Sequence, residues 1–215
     1  MIFSQADELK VLDLGRVGYR DAEEQMMALV DAGKEPGAAD HLMVCEFEPL
    51  LTVGRAADLS QYGQAGLPVY EVSRGGKATF HGPGQIVVYP ILRLEKGARD
   101  LHCYLHALEQ ALIHAVAESG LNGSRDARNT GCWIGGRKVA SIGVAVRRWV
   151  TYHGIALNVT TDLDWFRRFD PCGLAPELMT SMATELGATP DLPSVKQHLV
   201  HHLSEVLRND FVQTT

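Results

Sequence analysis

No stretch of this 215-residue chain approaches the roughly 18 consecutive apolar residues that a membrane-spanning helix needs, so no membrane partner is expected. The first residues, Met1 to Glu8, lack the basic-then-apolar order of a secretion signal, and the expected location is cytoplasmic. Cysteine is scarce: Cys45, Cys103, Cys132 and Cys172 are widely spaced and include no C-x-x-C pair. In a reducing compartment that excludes a disulfide framework and leaves free thiols. An excess of positive charge is missing too. Lys and Arg number 20 against 26 Asp and Glu, a net charge of −6, which argues against nucleic acid as a partner. No repeat, low-complexity tract or linker interrupts the chain, so residues 1–215 are expected to form a single domain.

What the chain does have is a clear succession of short elements. Apolar spacing predicts a strand over Lys10–Leu14 and a helix over Tyr19–Ala32, stopped by Gly33 and Pro36. Short strands are expected at His41–Phe47, Leu50–Val53 and Val69–Val72. The strongest helix runs from Arg99 to Ser119, with Leu101, Leu105, Leu108, Leu112 and Val116 as its buried stripe. Extended segments follow at Cys132–Ile134, Lys138–Val146 and Trp149–Val159, the last two reading as a hairpin around Arg147-Arg148. A short helix at Leu163–Phe169 precedes Asp170-Pro171-Cys172-Gly173. Ser194-Val195-Lys196-Gln197 has the form of a capping box for a last helix to about Arg208. Helices and hairpins alternate irregularly, which gives an α+β class with a mixed, largely antiparallel sheet flanked by helices.

Three segments carry chemistry. In "SRGGKATFHGPGQIVVYP", Ser73 to Pro90, glycines are interleaved with Arg74, Lys77, Thr79, His81 and Gln85. Glycine pairs allow positive φ and close approach of another molecule to the main chain, although a tight strand connection uses them as well. The pattern is not G-x-x-x-x-G-K-[ST] and opens no long helix, so neither nucleotide fingerprint applies. Lys138 enters the second segment, Gly135 to Val159, and His153 lies within it; each taken alone reads equally as an ordinary strand residue. Cys172 stands between Pro171 and Gly173 in a loop, where a thiol is displayed. A nucleophilic thiol needs a neighbouring cation to lower its pKa from about 8.5. Cys45, Cys103 and Cys132 read as packing residues. Arg125, Arg128, Arg137, Lys138, Arg147 and Arg148 crowd one segment, as a landing place for an acidic partner or as a solvated face.

The order Arg74-Gly75-Gly76-x-x-Thr79-Phe80-His81-Gly82-Pro83-Gly84-Gln85, Lys138-x-x-Ser141-Ile142-Gly143, His153-Gly154-x-Ala156-Leu157-Asn158-Val159 and Pro171-Cys172-Gly173-Leu174 resembles the octanoyl transferases of lipoate biosynthesis. The resemblance runs from the first strand to at least Met182. It implies the catalytic fold of the lipoate and biotin protein ligases. It also implies transfer of an octanoyl group from octanoyl-acyl carrier protein to a lysine of apo lipoyl domains, through a cysteine thioester and without ATP or a cofactor. The acceptors implied are the lipoyl domains of 2-oxoacid dehydrogenase complexes and the glycine cleavage H protein. Cys172 would carry the acyl group, with Lys138 as its cation and proton shuttle. Arg74, Gly75, Gly76, Lys77, Ala78, Thr79, Phe80 and His81 would line the acyl site, with Ser141, Ile142, Gly143, Gly154, Ile155 and Ala156. Val87 and Tyr89 would add apolar lining, and Arg137, Lys138, Arg147 and Arg148 would steer acidic carriers. One departure stands out: Glu46-Phe47-Glu48-Pro49-Leu50 replaces a His-Pro-Pro-like run, while the turn Thr52-Val53-Gly54-Arg55 is kept.

The rival readings are an ATP-dependent lipoate or biotin ligase on the same fold, a cysteine hydrolase, and a non-catalytic carrier-docking or metal-binding module. His102-x-x-x-His106 and His198-x-x-x-His202 have helical metal-pair spacing, but neither is H-E-x-x-H, and they read as solvated faces. No metal is expected.

Overall fold

The computed structural model describes residues 8–35, 37–63, 65–169 and 173–208. Numbering the elements in chain order, the larger sheet runs β1 (Leu9–Arg16), β2 (Asp40–Glu46), β6 (Gln85–Ile91), β9 (Val150–Asn158), β8 (Arg137–Arg147), β7 (Gly131–Ile134). A smaller sheet places β3 (Leu50–Val53) between β4 (Val69–Glu71) and β5 (Ala78–His81). Only the β1–β2 and β3–β4 pairs are parallel; the rest are antiparallel, so the sheet is mixed as expected.

Both faces of the larger sheet are covered, which is why β2, β6 and β9 read as nearly continuous apolar runs. On one face, α1 (Tyr19–Ala32) lays Ala22, Met26 and Val30, spaced by four, against Met43, Val87 and Tyr89. On the other, α2 (Leu101–Ala117) and α4 (Leu192–Arg208) pack on Leu42, Val88, Ile155 and Leu157. A third cluster, Leu51, Val53, Phe80, Phe166 and Met179, fills the space beneath the smaller sheet.

The helix ends differ from the expectation in instructive ways. Asp100 caps α2, its carboxylate accepting from the amides of His102 (2.8 Å) and Cys103 (3.1 Å). The α2 stripe begins at Tyr104, not at Leu101, which is 40% exposed. At α4 the Ser194 hydroxyl is not the cap. Asp191 accepts from the Ser194 amide (3.0 Å), so the helix starts at Leu192, three residues earlier than the capping-box pattern suggests. The β8–β9 turn is a two-residue connection in which Arg148 (φ 52°) and Trp149 (φ 67°) are both left-handed, without the glycine that usually marks such a turn.

The expected basic patch does not form as one surface. Arg125 pairs with Glu109 (3.1 Å), Arg128 with Asp126 (2.6 Å) and Arg137 with Glu185 (2.9 Å), and Lys138 is buried. Arg147 and Arg148 lie at the far end of β8, ten residues on and therefore roughly 30 Å away. No helix among the described residues is long and apolar enough to cross a membrane.

Candidate active site

The Arg74–Lys77 loop, β5, β8 and β9 enclose a cavity of ≈ 250 Å³. The sequence suggested one long loop up to Gln85, but residues Ala78–His81 are a strand, and strand alternation divides them. Thr79 and His81 face the cavity; Ala78 and Phe80, expected in its wall, turn away into the cluster with Leu51 and Met179. Arg74, Gly75, Gly76 and Lys77 line one side, and Ser141, Ile142 and Gly143 of β8 face Gly154, Ile155 and Ala156 of β9 on the other. Tyr89 joins the wall, whereas Val87 packs toward α1 instead. Thr52, Asn129 and His153 are in the wall as well. Thr52 belongs to the kept turn, whereas nothing in the sequence marked Asn129, whose position depends on long-range pairing.

Arg74 acts as a staple. Its guanidinium donates to the carbonyls of Gly75 (2.9 Å), Lys77 (2.8 Å) and Thr52 (2.8 Å) and to the Thr52 hydroxyl (3.0 Å). The kept turn is stitched to the same loop by main chain, with the Gly54 amide on the Lys77 carbonyl (3.1 Å) and the Arg55 amide on that of Arg74 (3.2 Å). This explains Gly54, where a Cβ would lie 2.5 Å from the Gly76 carbonyl oxygen. Gly154 is tighter: a Cβ there would meet the Val88 carbonyl oxygen at 2.4 Å and Pro90 Cδ at 2.6 Å. Gly154→Ala should therefore cost about 2–3 kcal/mol of stability, read from the midpoint of urea unfolding.

His81 sits in a hydrogen-bond chain that fixes its tautomer. The Gln85 amide spends both donor directions on the Phe80 carbonyl (3.0 Å) and Asn158 Oδ1 (2.9 Å), so its oxygen accepts from His81 Nδ1–H (2.8 Å). His81 Nε2 is then the acceptor for the Thr52 hydroxyl (3.1 Å). Asn158 continues the chain to the Thr180 carbonyl (3.0 Å), and the Thr180 amide donates to the Lys138 carbonyl (2.9 Å). Phe47, from the segment that departs from the family pattern, closes the other side of His81, edge-on at 5.8 Å.

Burial pushes the His81 pKa down to about 4, aided by nearby Arg74, and burial with Arg74 and His81 pushes His153 down to about 3. Both rings are neutral when folded, and the unfolded chain takes up their protons first. The stability that their neutrality contributes is complete above about pH 6.5 and is lost as pH falls toward 4. Between pH 7 and 4.5 the loss should reach about 2–3 kcal/mol per histidine, and urea titrations at the two pH values measure it.

Lys138 is 1% exposed, an expensive place for an ammonium unless it is well paired. Its Nζ donates to Asn129 Oδ1, itself in the cavity wall, and lies 5.9 Å from the centre of the Trp133 ring. Gly131 makes room for it: a Cβ there would fall 2.8 Å from Lys138 Cε. Cys172 lies outside the described residues. Gly173, which follows it, has φ 75°, and a Cβ on it would lie 2.9 Å from the Nζ of cavity-lining Lys77. The other cysteines are poor nucleophiles: burial raises the Cys45 thiol strongly and Cys132 to about 12, and Asp100 raises Cys103. His202 lies between Glu118 (3.1 Å) and Glu205 (3.2 Å), and His106 faces Arg125.

Comparison with known proteins places this arrangement. The profile of the lipoyl protein ligase A/B catalytic domain matches residues 19–204. The octanoyltransferase of Geobacter metallireducens is 41% identical over 211 residues, 96% of this chain and 98% of its own. The chain belongs to the octanoyltransferase family. The octanoyltransferase of Rubrobacter xylanophilus agrees, 44% identical over 202 residues and 90% of each chain. Among solved structures, a lipoate-protein ligase A bound with ATP superimposes with a TM-score of 0.74 at 16% identity, covering 96% of this chain and 90% of that one. The biotin protein ligase of Aquifex aeolicus gives 0.54 at 14% identity, over 96% and 69%. The chain thus has the lipoate and biotin ligase catalytic fold. It is an acyltransferase whose transferred group is octanoyl.

Proposed function

We propose that residues 1–215 act as one catalytic unit that moves octanoyl from octanoyl-acyl carrier protein to a lysine of an apo lipoyl domain, with Cys172 as acyl carrier and Lys138 as proton carrier. The acceptors are the lipoyl domains of 2-oxoacid dehydrogenase complexes and the glycine cleavage H protein, and the setting is cytoplasmic. The observation that carries this reading is Lys138, buried yet reaching the cavity wall through Asn129. A chain has no structural need to bury an ammonium there.

The Cys172 thiolate, favoured by the Lys138 ammonium, attacks the carbonyl carbon of the donor thioester. Backbone amides stabilise the tetrahedral oxyanion, each such donor being worth about 3 kcal/mol. Collapse breaks the carbon–sulfur bond to the carrier, and Lys138 gives its proton to the departing thiolate. The substrate lysine, entering as the neutral amine, attacks the enzyme thioester and passes a proton to the neutral Lys138 amine as the new bond forms. Amide formation expels the Cys172 thiolate and leaves Lys138 again an ammonium. Thioester exchange is nearly balanced and amide formation is downhill, so no ATP is consumed. Ala156 and Tyr89 give the cavity apolar surface for the tail, at about 0.8 kcal/mol per buried methylene.

Purified enzyme, octanoyl carrier and an isolated apo lipoyl domain should give octanoylated lipoyl domain at the same rate with and without ATP. A strict requirement for ATP would favour the ligase reading, and free octanoate as the main product would favour a hydrolase.

A further inference from the structure

His153 is the one described residue within a strand of the larger sheet, other than glycine, with a left-handed backbone, φ 55°. Such a conformation is strained in a strand and persists where the surroundings hold it. Its effect is to change faces. The neighbouring odd-numbered residues of β9 point to the α2 side, Thr151 reaching the Tyr104 hydroxyl and Ile155 and Leu157 joining that core. His153 instead packs on the cavity side, edge-on to Tyr89 at 5.7 Å and tilted against Tyr152 at 5.1 Å. Its amide turns to Met26 Sδ (3.4 Å).

The imidazole is 4% exposed, lines the cavity, and has no hydrogen bond to either ring nitrogen among the described residues. The other imidazole of the wall, His81, is bonded at both ring nitrogens. Its place along the cavity follows from register: His153 pairs with Val144, six residues along β8 from Lys138, hence roughly 20 Å from it. The seven carbon–carbon bonds of an octanoyl chain reach about as far as two to three strand residues, roughly 9 Å. The cavity is lined both by Asn129, the partner of Lys138, and by His153, so a tail entering beside Lys138 is directed toward His153.

Resting on the acyl-transfer reading above, we propose that His153 is the end stop of the acyl cavity and sets the length of the chain the enzyme accepts. An eight-carbon chain leaves the ring nitrogens hydrated. A chain two carbons longer strips them of water and offers no hydrogen bond in return, a loss of about ten-fold in affinity. The strained backbone is what places a polar group where strand alternation would put none.

The test is kcat/KM for hexanoyl, octanoyl, decanoyl and dodecanoyl carrier protein with the wild type, His153→Asn and His153→Gly, beside calorimetric affinities for free octanoic and decanoic acid. Asn and Gly both accept the left-handed backbone, so folding is preserved. The decanoyl-to-octanoyl ratio should rise about ten-fold or more in His153→Gly and less in His153→Asn, whose side chain stays polar. A ratio unchanged in both variants, in transfer and in binding, overturns the proposal even if all rates fall together. If no chain is transferred by any form while decanoic acid still gains affinity in His153→Gly, the end stop stands and the transfer reading fails.

Discussion

Cys172→Ala should reduce octanoyl transfer by roughly 10⁴-fold or more, because in the proposed scheme its sulfur carries the acyl group and its removal closes the covalent route. The residual rate would come only from holding donor and acceptor together. The substitution is small and next to a glycine, so thermal unfolding should be little changed, which separates loss of chemistry from loss of fold. Cys45, Cys103 and Cys132, changed to alanine or serine one at a time, should keep transfer within a few-fold. Their thiols are raised in pKa by burial or by Asp100, and two of them are buried in the core. Steady-state transfer to an apo lipoyl domain, followed by mass spectrometry of the acceptor, gives both numbers. A Cys172→Ala enzyme with most of its activity would remove the nucleophile from the scheme.

Lys138→Met should lower kcat by roughly 10²–10⁴-fold, the usual range for a lost general acid and base. Methionine fills the buried path beside Gly131 and Trp133 without a charge, so the loss reports chemistry more than packing. It has a second signature. Without the ammonium, the Cys172 thiol should return toward about 8.5, and the pH at which iodoacetamide alkylation is half-maximal should move up with it. Asn129→Ala is the milder companion. The Nζ of Lys138 loses a partner but keeps its charge, so kcat should fall by less than in Lys138→Met and the alkylation profile should move less.

Much of this architecture was legible in the chain because local rules and tertiary contacts agree. Tyr19–Ala32 is a helix with the bounds its apolar spacing and Gly33 indicate, and the β8–β9 hairpin was visible in its two apolar runs. The strand at Ala78–His81 was hidden because four residues between glycine pairs carry too short a pattern, and its partner β3 is far away in sequence. That one strand decides which half of the motif faces the cavity: Thr79 and His81 do, Ala78 and Phe80 do not. His153 was the least visible. Its residue type and spacing fit an ordinary strand, and only its φ reveals the change of face. Lys138 could be picked out by resemblance, but its burial against Trp133 and its bond to Asn129 needed the folded chain. The six clustered cations, which read as a landing place for an acidic partner or as a solvated face, are spread in the fold, since closeness in sequence along a strand is distance in space.

The most direct measurement of the account is the intact mass of the enzyme mixed with octanoyl-acyl carrier protein before any acceptor is added. The account predicts an increment of one octanoyl group on the wild type, located on Cys172 by peptide mapping, absent from Cys172→Ala, and discharged when an apo lipoyl domain is added. An unchanged mass during productive transfer, or an octanoyl group found on a different residue, would contradict it.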